Sequence, residues 1–251
     1  MAIIEPFALA IGFLLSYIYD FVVSYGTSIV ILTVIINIII FPLTLRQTRS
    51  TKRMQDAQAD IKKVQKQYKD DKEELNKKIA ELYKEKGINP LGCVVPLLVQ
   101  MPVWFALFRV LREPLLFIPK DASLYSQLGD PSGILFFNMD LQIPASTLST
   151  WIDRIPYIIL ILLVVGTALI QQNQLTKKQG KSNNQQQQQM QMIGKIMPLF
   201  FGFISWTLPS GLVVYFLTGN IFRIGQQALI VKLEEPQSDK NNKENEKNKD
   251  K

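Results

Sequence analysis

The chain has 251 residues, 47% of them hydrophobic, with a formal charge of +7, no histidine and a single cysteine, Cys93. That inventory excludes a disulfide framework, a Cys/His metal cluster and a histidine base, and no Gly-rich phosphate loop accompanies it. The apolar residues fall in blocks too long for the core of a small soluble domain, so the composition reads as an all-α integral membrane protein with no cofactor.

Residues 1–24 carry the stretch "AIIEPFALAIGFLLSYIYDFVV". It lacks the basic start and small-residue cleavage pattern of a signal peptide, and it lacks a lipid-attachment cysteine, so it is expected to stay in the mature chain. Glu5, Pro6 and Asp20 bracket an apolar segment of marginal length. An interfacial helix on the outer surface is favoured over a sixth span, because a sixth span would leave the N-terminus inside with no positive charge to hold it.

Residues 25–231 form the expected membrane core. Runs of about 20 apolar residues can cross the hydrocarbon as helices, and they are found at about 27–46, 91–112 and 154–172. The block 195–231 is too long for one crossing. Pro209, Ser210 and Gly211 supply a turn inside it, which splits it into spans at 195–208 and 211–231. Ser210 reads as a turn residue rather than a nucleophile, since no general base lies in the spans to activate it. Between Arg46 and Lys86 there are 13 basic residues, whereas residues 113–153 hold only Lys120 against Glu113, Asp121, Asp130, Asp140 and Asp153. The first loop and the C-terminus are therefore assigned to the cytoplasm.

The cytoplasmic insert, 47–88, repeats apolar residues at helical spacing: Met54, Ala57, Ile61, Val64 and Tyr68, then Leu75, Ile79 and Leu82. Asp71 with Glu74 fits a helix N-cap, and Gly87 followed by Pro90 fits a helix stop. The result is a helical hairpin too narrow for a large core. Its charges read either as a solvated face or as a surface for anionic lipid or ribosomal RNA. The Gln-rich stretch at 179–192 is a polar connector, and residues 232–251 are expected to be a disordered tail, since nothing apolar follows Pro236.

Inside the spans the expectation is a polar but uncharged set. Thr33, Asn37 and Thr44 share a narrow stripe of the first span, Gln100 lies in the second, and Tyr215 with Gly211 and Thr218 shares a face of the last. No Asp or Glu falls within the five spans, and no inverted repeat is visible, which argues against proton-coupled transport. Two readings of the stripe stand: side chains that bond across helices and hold the bundle together, or the lining of a water-accessible cavity.

Three strings, "YGTSIVILTVIINIIIFPLTLRQTRSTKRMQ", "LYKEKGINPLGCVVPLLVQMPVWFALFRVL" and "KIMPLFFGFISWTLPSGLVVYFLTGNIFRIGQQALI", closely resemble the core of the YidC/Oxa/Alb membrane protein insertases, in the family's order. The resemblance implies five spans, a cytoplasmic helical hairpin and an outer interfacial helix. It also implies a hydrophilic groove, open to cytoplasm and lipid, that receives a polar segment of a nascent protein while the adjoining apolar segment enters lipid. Thr33, Asn37, Gln100, Met101 and Tyr215 would line that groove. Nascent membrane proteins and lipids would be the partners, with the Sec translocon and the ribosome as further candidates and no DNA. No organelle transit peptide is visible, so the bacterial plasma membrane is the expected location, and the residue inventory leads to the expectation of no enzymatic activity. Many family members carry an arginine at the position of Asn37, so the charge it would supply is absent from that position here. A solute channel or transporter and a structural assembly factor are the alternative functions. The short fourth span, near 20 Å by helix rise, implies a locally thinned bilayer.

Overall fold

The computed structural model describes residues 4–69, 71–87, 95–128, 134–176 and 196–247. The "NPLGC" motif up to Val94, with Pro90 and Cys93, and the Gln-rich connector lie outside the described residues.

Helix α1 (Glu5–Val22) starts with Pro6 in its first turn, where the missing N–H costs nothing. It ends at Val23, whose left-handed φ of 52° turns the chain toward α2 (Tyr25–Asp56). α2 is a single 32-residue helix that passes through Pro42. Proline has no N–H to donate one turn back, so the ladder is weakened there without ending.

The helix does not break at the expected 46/47 limit of the first span: α2 runs on to Asp56, through residues of good helix propensity such as Leu45, Arg46 and Arg53. The first hairpin helix is accordingly the end of α2 plus α3 (Gln58–Gln67), and its partner is α4 (Lys72–Glu85). Ala57 and Ile61 pack against Leu82 and Tyr83 in a small separate core. Asp71 caps α4, its Oδ1 accepting from the backbone N–H of Glu73 and Glu74 at 3.0 Å each. Gly87, at φ 59°, follows the helix end. Lys86 pairs with Asp60 across the hairpin, and this hydrogen bond holds the Asp60 carboxyl below the usual carboxylate range.

Helix α5 (Val95–Arg112) leads into a segment, called outer after its side in the expected topology, with two 3-10 turns, the short helix α6 (Ser123–Gln127) and a small β-hairpin. Strands β1 (Leu135–Phe136) and β2 (Met139–Asp140) pair antiparallel, Leu135 opposite Asp140. The strict all-α expectation needs this correction. Phe137 and Asn138 both adopt positive φ in the two-residue turn, a conformation asparagine tolerates and a hairpin requires.

Helix α7 (Trp151–Thr176) follows, then α8 (Ile196–Ser205) and α9 (Ser210–Lys247). α8 ends at Ser205, before the expected limit of 208, and its described residues rise about 15 Å. Its end tightens: Trp206 N–H bonds Phe203 O, and Thr207 N–H bonds Ile204 O. The backbone of α9 is helical to Lys247, past Pro236, where composition predicts disorder. Lysine and glutamate in that stretch are competent helix formers.

Among the described residues, three helices are long and apolar enough to cross a membrane: Glu5–Val22, Tyr25–Ser50 and Trp151–Gln174. α9 packs against α7 and α2, and α1 packs against α5, α2 and α6. The core gathers Leu15, Ile29, Leu32, Leu107, Leu111, Leu141 and Leu212 from α1, α2, α5, the outer segment and α9. Opposite faces expose Ile38, Ile39, Ile159, Leu162, Leu199 and Phe203. Such surface suits lipid, in which helices associate through close packing and polar contacts rather than a hydrophobic drive.

The outer cap is pinned to the bundle by backbone bonds. Gly211 N–H donates to Leu141 O at 2.8 Å, and Ser146 N–H to Trp206 O at 3.1 Å. Ser210 donates twice to Ile143 O, from its N–H at 3.1 Å and its Oγ at 2.9 Å. Ser210 and Gly211 thus tie the turn to the outer segment as well as reversing the chain. Space at 211 is tight: a Cβ would lie 3.2 Å from both Ile29 Cδ1 and Leu141 O, so any side chain there forces its neighbours to give way.

Candidate functional site: an intramembrane polar cluster

Two contacts fix how α2 lies along α9. Gly211 sits against Ile29, and Gln226 Nε2 donates to Thr44 Oγ1 at 2.5 Å; each pair is 182 residues apart in sequence. The helices therefore run in the same direction with one register over about four turns. By the same offset Thr33 is level with Tyr215, and Asn37 is level with Gly219.

α2 buries the stripe that its spacing predicts: Thr33 is fully buried and Asn37 is 8% exposed. Their hydrogen bonds stay within the helix. Thr33 Oγ1 donates to Ile29 O at 2.6 Å, and Asn37 Nδ2 donates to Thr33 O at 2.8 Å. From α5, Gln100 Nε2 donates to the Tyr215 hydroxyl at 2.8 Å, and the Tyr215 side chain is buried. Asn220 on the same helix turns to α7, where its Nδ2 reaches Val164 O at 3.4 Å and Thr167 Oγ1 at 3.3 Å.

The two readings of the polar stripe thus divide by residue. Gln100, Tyr215, Thr44, Gln226 and Asn220 bond between helices, whereas Thr33 and Asn37 bond to carbonyls of their own helix. Met101 is 40% exposed, and no hydrogen bond joins it to the cluster among the described residues. Thr218 bonds Val214 O within α9.

Sequence reasoning passed over Asn220 and Gln226, although Asn220 sits within a turn of Thr218, which it singled out. It also missed Arg223. The expectation of an uncharged interior is corrected by this one arginine, which lies inside "NIFRIGQQALI" and is the only charged residue between Ser210 and Val231. The signal was present in the sequence as a cation in an otherwise apolar helix. Arg109 and Arg112, by contrast, lie at the outer end of α5, their guanidinium groups 4.9 Å from the Phe117 ring centroid and 5.5 Å from that of Phe108.

Two cavities open at the outer end of the bundle. One of about 260 Å³ is lined by Phe108, Arg112, Gln142 and the 207–209 turn, and one of about 370 Å³ by Asp140, Ile152, Asp153 and Tyr157 among others. Neither touches Thr33, Asn37, Gln100 or Tyr215. No group of three or more metal-ligating side chains occurs among the described residues.

A helical membrane protein with a buried polar cluster between parallel α2 and α9 is the class these features define. The model of the 60Kd inner membrane protein family matches residues 17–238, and the chain belongs to that family. It is 37% identical over 223 residues to the membrane protein insertase YidC of Fusobacterium nucleatum, covering 88% of this chain and 93% of the relative. The insertase YidC of Wolinella succinogenes is 35% identical over 226 residues, 90% of this chain but 37% of the relative. The Helicobacter pylori protein of the same name is 32% identical over 231 residues, covering 92% of this chain and 37% of the relative. This chain thus spans nearly all of the first relative and little over a third of the other two. Among solved structures, that of an active YidC insertase with its first transmembrane domain resolved matches at a TM-score of 0.54 and 24% identity. The match covers 83% of this chain and 42% of that one, a likeness that shows the fold.

Proposed function

We propose that this protein inserts nascent integral membrane proteins into the bacterial plasma membrane and assists their folding, with or without the Sec translocon. The observation that carries the reading is the burial of Thr33 and Asn37 among apolar helices with their hydrogen bonds directed into their own helix. Side chains kept only to glue helices would bond across them. Side chains that hydrate a groove need their remaining polar atoms free for water or a passing chain.

In this reading five spans, formed by α2, α5, α7, α8 and the first part of α9, enclose the groove, with the hairpin of α3 and α4 and the C-terminus in the cytoplasm. α1 lies on the outer interface. In support, Gly12 of α1 meets Phe117, and Asp20 hydrogen-bonds Ser123, so positions eight residues apart both rest on the outer segment. A helix plunging through the bilayer would leave that surface within a turn or two.

A polar stretch crossing bare hydrocarbon costs several kcal/mol per unsatisfied group. Thr33, Asn37, Gln100, Met101 and Tyr215 would shorten the dry path by contacting that stretch. Partition of the adjoining apolar helix supplies the work, at a few tenths of a kcal/mol per Leu or Ile. No nucleotide and no covalent step are needed. Nascent chains and lipids are the partners, and the ribosome would meet the basic hairpin.

The test is depletion of the protein followed by protease protection of a small two-span substrate, with the purified protein assayed in parallel for ion flux in liposomes. Loss of protected substrate without flux supports insertion. Unaltered protection, or flux through the purified protein, refutes it.

A further inference from the structure

The end of the bundle that carries the 206–209 turn is poor in cations, for residues 113–153 hold Lys120 as their one basic residue, as befits a segment kept out of the cytoplasm. Arg112 nevertheless stands there, at the last position of α5. One face of the helix leads up to it at four-residue intervals, through Gln100, Trp104 and Phe108. The Trp104 and Phe108 rings stack with centroids 6.0 Å apart, and the Arg112 guanidinium lies 5.5 Å from the centroid of Phe108. This contact restrains a long side chain that forms no ion pair among the described residues.

The cavity of about 260 Å³ opens beside it, between Phe108, Arg112, Gln142 and the 207–209 turn. Gln142 brings a second donor: its Nε2 is buried and meets no acceptor among the described residues, a costly state for an amide. The Thr207 hydroxyl is already engaged with Ile204 O, and no carboxylate lines the space. A guanidinium and an unpaired amide N–H bordering one cavity recognise an anion. At this volume the space takes many waters or one larger group.

The surroundings say which anion. Phe203 is 74% exposed four residues before Thr207, and Leu199 and Phe200 are exposed one turn below it, so acyl chains reach the level just under the cavity. Trp206 borders the turn, and Arg154 lies 5.8 Å from its ring and 4.9 Å from that of Trp151. Tryptophan with a basic partner marks the headgroup level of a bilayer. The cavity therefore sits where a lipid phosphate would be.

We propose that this cavity binds the headgroup of an anionic phospholipid, with Arg112 and Gln142 holding its phosphate. The inference goes beyond the insertion reading and takes from it only the placement of the bundle in a membrane. A guanidinium matches a phosphate with paired N–H donors, whereas a choline headgroup would set a second cation beside Arg112.

The test uses the full-length protein, purified in detergent and followed by native mass spectrometry and thermal melting, with phosphatidylglycerol, phosphatidylcholine or inorganic phosphate added. Wild type should retain phosphatidylglycerol in preference to phosphatidylcholine, and its melting midpoint should rise with phosphatidylglycerol. Hydrogen bonds to charged groups correspond to roughly tenfold or more in affinity, so Arg112→Gln should lower the preference about tenfold, and Arg112→Lys should keep part of it. Gln142→Leu should lower it severalfold. Because leucine removes a buried donor that has no partner, this variant should melt no lower than wild type without lipid, and it decides the matter if Arg112→Gln fails to fold.

Equal retention of the two lipids by wild type would overturn the proposal, as would an unchanged preference in Gln142→Leu and in the folded Arg112→Gln. A lipid-free midpoint of Gln142→Leu well below wild type would show the amide to be partnered within the protein, with the same consequence. Displacement of phosphatidylglycerol by inorganic phosphate, with an equal rise in midpoint, would make the ligand free phosphate and overturn the lipid assignment. None of these readouts depends on insertion activity, so they stand apart from the proposed function.

Discussion

Asn37 donates to the carbonyl of Thr33 one turn earlier in its own helix, and this decides what a substitution there removes. Asn37→Leu breaks no hydrogen bond between helices among the described residues, and leucine is favoured over asparagine in a membrane helix. The thermal midpoint of the purified variant should therefore stay close to wild type, while insertion of substrates with polar outer segments slows. Asn37→Arg should also accumulate and fold, because a hydrated groove spares the guanidinium most of the ~3 kcal/mol it would cost at mid-membrane. Collapse of the arginine variant, with a cysteine at 37 closed to membrane-impermeant thiol reagents from the cytoplasmic side, would remove the residue from the groove. Gly211 makes the opposite case. With Ile29 and the backbone of Leu141 both 3.2 Å from the position of a Cβ, Gly211→Val is overpacked and should cost about 1–3 kcal/mol. A calorimetric or fluorescence melt should show a lowered midpoint and protease new cuts near the turn, with Gly211→Ala intermediate.

At the scale of elements, the hairpin of α3 and α4 has a core of its own and meets the bundle only through the end of α2, as far as the described contacts go. Replacing residues 54–84 by a short flexible bridge should leave the folded bundle intact and lower the rate of substrate insertion severalfold. Normal insertion by the shortened protein would end the hairpin's functional role, and failure to accumulate in the membrane would end its structural independence. The charged surface matters here more than the fold. An exposed pair such as Lys86 with Asp60 adds little stability, so those charges are available to a partner.

At the scale of the whole molecule, legibility followed the strength of the local signal. Asp71 was readable as a cap because its oxygen has two backbone N–H groups within reach, an arrangement the sequence spacing already implies. The burial of Thr33, Asn37 and Tyr215 followed from helical periodicity alone. Partners were not readable: nothing in the sequence says that Gln100 chooses Tyr215, 115 residues away, or that Gln226 chooses Thr44. Such choices depend on helix register, which periodicity leaves free. The outer β-hairpin escaped notice because strands of two residues carry no period to detect. Arg223 was overlooked because one basic residue hardly alters the hydropathy of a long apolar run, although its energetic weight there is large.

The unbroken course of α2 gives the protein a lever. Its 32 residues extend for about 48 Å, from the end that packs near β1 to the base of the hairpin, and Pro42, which removes one ladder hydrogen bond, is the point at which a bend would fall. The inner arm, from Pro42 to Asp56, is about 21 Å long, so a bend of about 10° at the proline swings its tip by about 4 Å. If the joint flexes, a load on the hairpin would be felt as torque close to Thr44 and about one turn from Asn37. Pro42→Ala should stiffen this joint and narrow the distribution of spin-label distances between hairpin and bundle, and identical distributions in the two proteins would show that the lever does not flex there.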